Sequence, residues 1–70
     1  MTPTLLHDAG QALYGPRWQS DLARALGVSD RTVRRWAAGK MQAPPNVRDE
    51  MRSLCMARGA ALKGIAIQLS

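Results

Sequence analysis

Three arginines, Arg31, Arg34 and Arg35, lie close together in the sequence with only one acid, Asp30, at their edge. A guanidinium is planar, permanently charged and carries its N–H donors in a rigid fork. It therefore grips paired acceptors such as phosphate oxygens or the O6 and N7 atoms of guanine. At about 100° per residue, Arg31, Arg34, Arg35 and Ala38 share a helix sector of roughly 100°, and Val33, Trp36 and Ala37 cover a similar sector opposite. One face of such a helix is cationic and the other apolar. A merely solvated face usually mixes both signs, glutamate included, and this one does not. The chemistry on offer is recognition of a polyanion.

The surrounding residues, Gln19 to Ala38, predict two short helices joined by a tight turn. Ala23 sits one turn before Gly27, where the helix axes should come closest and a larger side chain would force them apart. Gly27 ends the first helix at a left-handed position, which glycine enters without steric penalty. Leu22, Leu26, Val28, Val33 and Trp36 have the spacing of two crossing helices, and Val28 should anchor the turn in the core. Ser29 is a good N-cap, its hydroxyl accepting from an unpaired amide of the second helix. Thr32 stands where a full capping box has Glu or Gln. Asp30, in the first turn, complements the helix dipole.

On Gln19, Ala23, Gly27, Val28, Ser29, Val33 and Trp36, the chain resembles the helix-turn-helix family of phage repressor and Cro-type proteins, the XRE-like small transcriptional regulators. The resemblance covers roughly residues 17 to 45. It implies that Ser29, Asp30, Arg31, Arg34 and Arg35 face base edges and nearby phosphates from a recognition helix of about Ser29–Ala38. Arg31 and Arg35 are the candidates for bidentate contact with guanine, and Arg34 for dividing itself between base edge and phosphate. The resemblance places Gln19 near a phosphate, bracing the recognition helix at Asp30. Arg17, Gln19, Thr32, Lys40 and Gln42 are the expected phosphate contacts. Many relatives carry a polar amide at the position of Asp30. This carboxylate would either accept from a cytosine amino group or cap the helix and hold a neighbouring arginine.

The charge distribution agrees with a polyanionic partner. The chain has a formal charge of +5. Between Arg17 and Lys40 lie Arg17, Arg24, Arg31, Arg34, Arg35 and Lys40 against Asp21 and Asp30, a surplus of +4. Charge placed where a groove is expected is more informative than the total.

The elements that hold this unit are all helical. Thr2-Pro3 is a capping side chain followed by proline at the first helical position. The helix should run to about Tyr14 with Leu5, Leu6, Ala9 and Leu13 inward, and Gly15-Pro16 stops it. Trp18 should close over the core from its edge, the alternative being to stack on DNA. Ala38-Gly39 ends the recognition helix, residues 40–43 form a loop, and Pro44-Pro45-Asn46 starts another helix. From there Val47, Met51, Leu54, Cys55, Leu62, Ile65, Ala66 and Leu69 keep one helical phase through Gly59 and Gly64. The expectation is a small all-α bundle of four to five helices with a central helix-turn-helix. Its long C-terminal helix is either straight or softly kinked at Gly59. Residues 1–45 form the DNA-binding core, and 46–70 a C-terminal segment of the same domain. The far half of that segment, Leu62 to Leu69, either pairs with a second copy, making the chain a homodimer, or folds back on its own domain.

Seventy residues with two Trp, one Tyr and no Phe make a thin core. Cys55 is the sole cysteine, which excludes an internal disulfide and suggests a reducing compartment; in the stretch LCMA it reads as a small core residue rather than a reactive thiol. His7 is the sole histidine, and no metal set can be assembled around it. It reads as a surface or half-buried side chain. Asp21 and Arg24 read as an exposed pair. The start of the chain has no basic segment followed by an apolar run, and Arg58 and Lys63 break the apolar C-terminal region. No membrane association is expected, and a cytoplasmic, nucleoid-associated protein is. Nor is an enzyme: there is no Gly-rich phosphate loop, no nucleophile with an adjacent base and no cofactor motif. The leading expectation is a sequence-specific regulator of double-stranded DNA, a repressor of phage or mobile-element type that controls its own operon. Two copies would enter successive major grooves about 34 Å apart on a palindromic site. The alternatives are a helical protein-interaction module and a DNA-binding subunit of a recombination or packaging machine.

Overall fold

The Thr2 hydroxyl accepts from the Leu5 amide at 3.1 Å and Pro3 occupies the first helical position, so the first helix starts where the residues direct it. The computed structural model describes residues 1–70. It consists of four helices: α1 (Pro3–Tyr14), α2 (Trp18–Leu26), α3 (Asp30–Ala37) and α4 (Pro45–Gln68). There are no strands. The fold is a small helical bundle, with four helices out of the four to five expected, and α4 continues unbroken through Gly59 and Gly64. None of the helices is long and apolar enough to cross a membrane.

The core is built from one face of each helix. Leu6 of α1, Trp18, Leu22 and Ala23 of α2, Val33 and Trp36 of α3, and Val47 and Met51 of α4 form a single buried cluster. Its largest member is Trp18, only 2% exposed. The expectation that Trp18 lies at the edge is therefore corrected: the ring is in the interior, which removes stacking on DNA as a role. What admits it is Gly10, buried in the middle of α1, where an added Cβ would collide with three atoms of the Trp18 ring. The indole takes the volume that a side chain at position 10 would fill. The exposed His7 ring meets Trp18 edge-on, with centroids 5.8 Å apart.

Leu5 corrects a second expectation, being 47% exposed. It lies about 100° round the helix from Leu6, and the inward row is Leu6, Gly10 and Leu13, with Ala9 packed at its margin. Cys55 is corrected likewise, from core to exposed. The α4 row that α1 covers is Val47 and Met51, with Leu54 partly buried, and Cys55 is rotated off that row. The cover ends at Arg58, whose guanidinium lies 5.8 Å from the centroid of Tyr14, the last residue of α1.

Beyond Arg58 every residue of α4 is exposed, including Leu62 at 58%, Ile65 at 53% and Leu69 at 81%. The far half does not fold back on its own domain. It projects, stretching the molecule to 45 × 22 × 21 Å. The radius of gyration is 13.1 Å, where a compact chain of this length has about 11 Å.

Two glycine substitutions separate these regions. Gly10→Ala forces the Trp18 ring out of place, and overpacking of this kind costs about 1–3 kcal/mol; thermal unfolding should shift down by about 4–8 °C per kcal/mol. Gly64→Ala meets nothing within 4 Å. It should raise far-UV helicity without disturbing the tryptophan core, as near-UV circular dichroism would register.

Candidate nucleic-acid interface

The turn between α2 and α3 is built by three local devices. Gly27 adopts φ 72°, ψ 30°, the left-handed conformation anticipated for it. Its amide donates to the Arg24 carbonyl and the Val28 amide to the Ala23 carbonyl at 3.0 Å, the paired bonds of a Schellman motif. Val28 is half-buried against the core and fixes the direction in which the chain leaves. Ser29 then caps α3: its hydroxyl accepts from the Thr32 amide at 3.2 Å and shares a hydrogen bond with the Thr32 hydroxyl at 2.9 Å. Ala23 is 1% exposed, as a close approach of helices requires.

The far end of α3 repeats the logic. Gly39 is left-handed at φ 73°, with its amide donating to the Trp36 carbonyl and the Lys40 amide to the Arg35 carbonyl at 3.0 Å. The chain thereby turns so that Lys40 joins the arginines. Arg31, Arg34, Arg35, Ala38 and Lys40 border one open depression.

Burial divides α3 into the two faces expected from its wheel. Val33 is fully buried and Trp36 nearly so, while Arg31, Arg34 and Arg35 are exposed. None of the three is within ion-pair distance of an acid, the two pairs in the molecule being His7–Asp8 and Arg24–Asp21. The second of these, 3.3 Å long and exposed, is the surface pair anticipated from sequence.

Asp30 is half-buried and its Oδ2 accepts from the Ser20 hydroxyl at 2.8 Å. Two expectations are corrected by this bond. The brace between α2 and the start of α3 is Ser20, not Gln19, and Asp30 holds Ser20 rather than an arginine. A hydroxyl beside the glutamine was the available signal. With the carboxylate engaged by a neutral partner, the neighbouring guanidinium groups keep their donors free.

The remaining candidates lie in two places. Arg17 is exposed at the N-cap of α2 and makes no side-chain cap bond. Gln19 is half-buried in the first turn of α2, next to the Ser20–Asp30 brace. Thr32 is half-buried with its hydroxyl on Ser29. Gln42 stands apart from this group: its amide donates to the Met1 carbonyl at 3.2 Å, and it borders a different surface with Pro44 and Arg48. The fold thus gathers Arg31, Arg34, Arg35 and Lys40, sets Gln19 beside the brace at the start of α3, and leaves Arg17 at the start of α2 and Gln42 with the N-terminus.

No family model, curated protein or solved structure matched the chain in comparisons with known proteins. No group of three or more His, Cys, Asp or Glu side chains comes together in a geometry able to hold a metal.

The cap is directly testable. Ser29→Ala removes the acceptor for the Thr32 amide and should destabilise the protein by about 1 kcal/mol, within the usual 0.5–2 kcal/mol for such caps. Ser29→Asp restores an acceptor and should recover most of the loss in chemical denaturation.

Proposed function

We propose that the protein is a sequence-specific transcriptional regulator of double-stranded DNA, acting as a homodimeric repressor on a palindromic site. The observation that carries this reading is the outer face of α3, with three exposed guanidinium groups and no acid paired to them. An eight-residue helix held by one face against a core is narrow enough to lie in a major groove about 12 Å wide. Arg31 and Arg35 are the base readers, each able to donate two bonds to a guanine edge. Arg34 divides between base and phosphate, while Arg17 and Lys40 neutralise phosphates on either side. Gln19, Ser29 and Thr32 sit where neutral donors would fix the register, and Asp30 acts by holding Ser20. The role is non-enzymatic.

A helical interaction module that touches DNA only incidentally is the competing reading, favoured by the exposed apolar residues of α4. Salt dependence separates the two. With Arg17, Arg34 and Lys40 on phosphates in each of two copies, log K against log[salt] should fall with a slope of about −5, from about 0.9 per neutralised phosphate. A shallow slope with no preferred sequence would establish the module instead.

Selection of bound duplexes from a random library should return a two-fold symmetric motif. On that motif Arg31→Ala or Arg35→Ala should cost about 1–3 kcal/mol and relax one position in each half, whereas Lys40→Ala should weaken operator and random DNA alike. If the two arginine variants lost affinity equally for both, base reading by α3 would be refuted.

A further inference from the structure

The fold leaves open two apolar surfaces of equal length. One is the projecting arm of α4, where Leu62, Ile65 and Leu69 continue the helical phase of the buried Val47 and Met51 with nothing over them. The other is a groove of about 380 Å³ between α1 and α4, where Leu5, Ala9, Met51 and Cys55 are flanked by Arg48, Asp49 and Arg52, two cations to one acid. Along α4 the groove spans Arg48 to Cys55 and the arm's row spans Leu62 to Leu69. At 1.5 Å per residue each is about 12 Å long.

We propose that these surfaces cover each other between two copies of the chain. The α4 helices run antiparallel and each arm lies in the other copy's α1–α4 groove. This deepens the homodimer reading above and rests on it, though not on DNA contact. Opposing Leu62 to the partner's Cys55 and Leu69 to the partner's Arg48 puts the two-fold axis between Arg58 and Gly59. At that crossing Gly59 has no side chain, and nothing of its own chain lies within 4 Å of where a Cβ would be. The axes can approach closely there. Leu5 and Cys55, displaced from the core of one chain, become part of the joint core of two.

Charge selects the direction. The only acids of α4 are Asp49 and Glu50 near its start, and the half beyond them carries Arg52, Arg58 and Lys63. A parallel pair would set Arg58 against Arg58 and Lys63 against Lys63, a like-charge arrangement that destabilises. The antiparallel pair moves Lys63 well away from its counterpart and leaves the two Arg58 side chains as the only cations near the axis, each drawn over Tyr14 of its own chain. It also brings the C-terminal carbonyls of α4, the negative end of the helix dipole, beside the partner's Arg48 and Arg52, where cations are favourable. Neither arginine is otherwise ion-paired.

Disulfide trapping of the full chain, without DNA, tests the geometry. Leu62→Cys in the presence of native Cys55 should yield a covalent dimer on oxidation. Leu62→Cys with Cys55→Ser should not, and neither should the unaltered chain, because two Cys55 residues lie on opposite sides of the axis. Gly59→Cys with Cys55→Ser, next to the axis, should cross-link to itself. In sedimentation, Ile65→Glu should halve the mass from two chains to one, while Ile67→Glu on the opposite face leaves it at two. Near-UV circular dichroism should show the tryptophan core intact in both. Cross-linking of Leu62→Cys with Cys55→Ser as readily as with Cys55 present would mean a parallel pair and overturn the proposal, as would an unaltered chain that sediments as a monomer. Loss of sequence-selective DNA binding by an intact cross-linked dimer would refute the DNA reading alone.

Discussion

The burial of Val33 and Trp36 is the constraint on which the rest of the molecule depends. The helix that carries them, α3, has eight residues, well short of the length at which an isolated helix is even marginally stable in water. Its existence rests on tertiary contact and on its two ends. The apolar sector supplies the contact, Ser29 supplies the amide acceptor at one end, and Gly39 turns the chain at the other. Because a helix has only one circumference, committing that sector to the core commits Arg31, Arg34 and Arg35 to the outside. The cationic ridge is thus a consequence of how the helix is held.

The same core explains why the unit keeps its angle. Ala23 lets α2 approach α3, and Gly10 lets α1 approach Trp18. Gly10 leaves the space that the Trp18 indole fills, and Ala23 leaves the space between the two crossing helices. Interiors pack at crystal-like density, so neither position has slack. The Ser20–Asp30 hydrogen bond adds a polar tie across the same junction, and it uses the one carboxylate that could have neutralised the ridge.

The far half of α4 obeys a different balance. Four helix faces bury ten residues in this chain, and none of those faces reaches Leu62, Ile65 or Leu69. A helix apolar on more than one side and fully exposed is an unusual surface for a monomer. Small single-core domains commonly supplement their stability by association. The DNA reading and the antiparallel pairing are separate proposals, one drawn from the charge of α3 and the other from the shape of α4.

Local sequence determined the helix boundaries and the turn. Thr2-Pro3, Gly27, Ser29 and Gly39 act through their own backbone and immediate neighbours, so their roles can be read without knowing what lies across the fold. The partition of α3 into two faces was equally legible, because helical periodicity is fixed by backbone geometry. Tertiary structure alone decided the matters that turn on a distant partner. Trp18 went to the centre because Gly10, on another helix, makes room for it. Ser20 rather than Gln19 reached Asp30 because the crossing of α2 and α3 sets which side chain arrives. Leu5 and Cys55 were left outside because α1 covers only one row of α4, and a one-dimensional apolar pattern does not specify how wide a row its neighbour will cover.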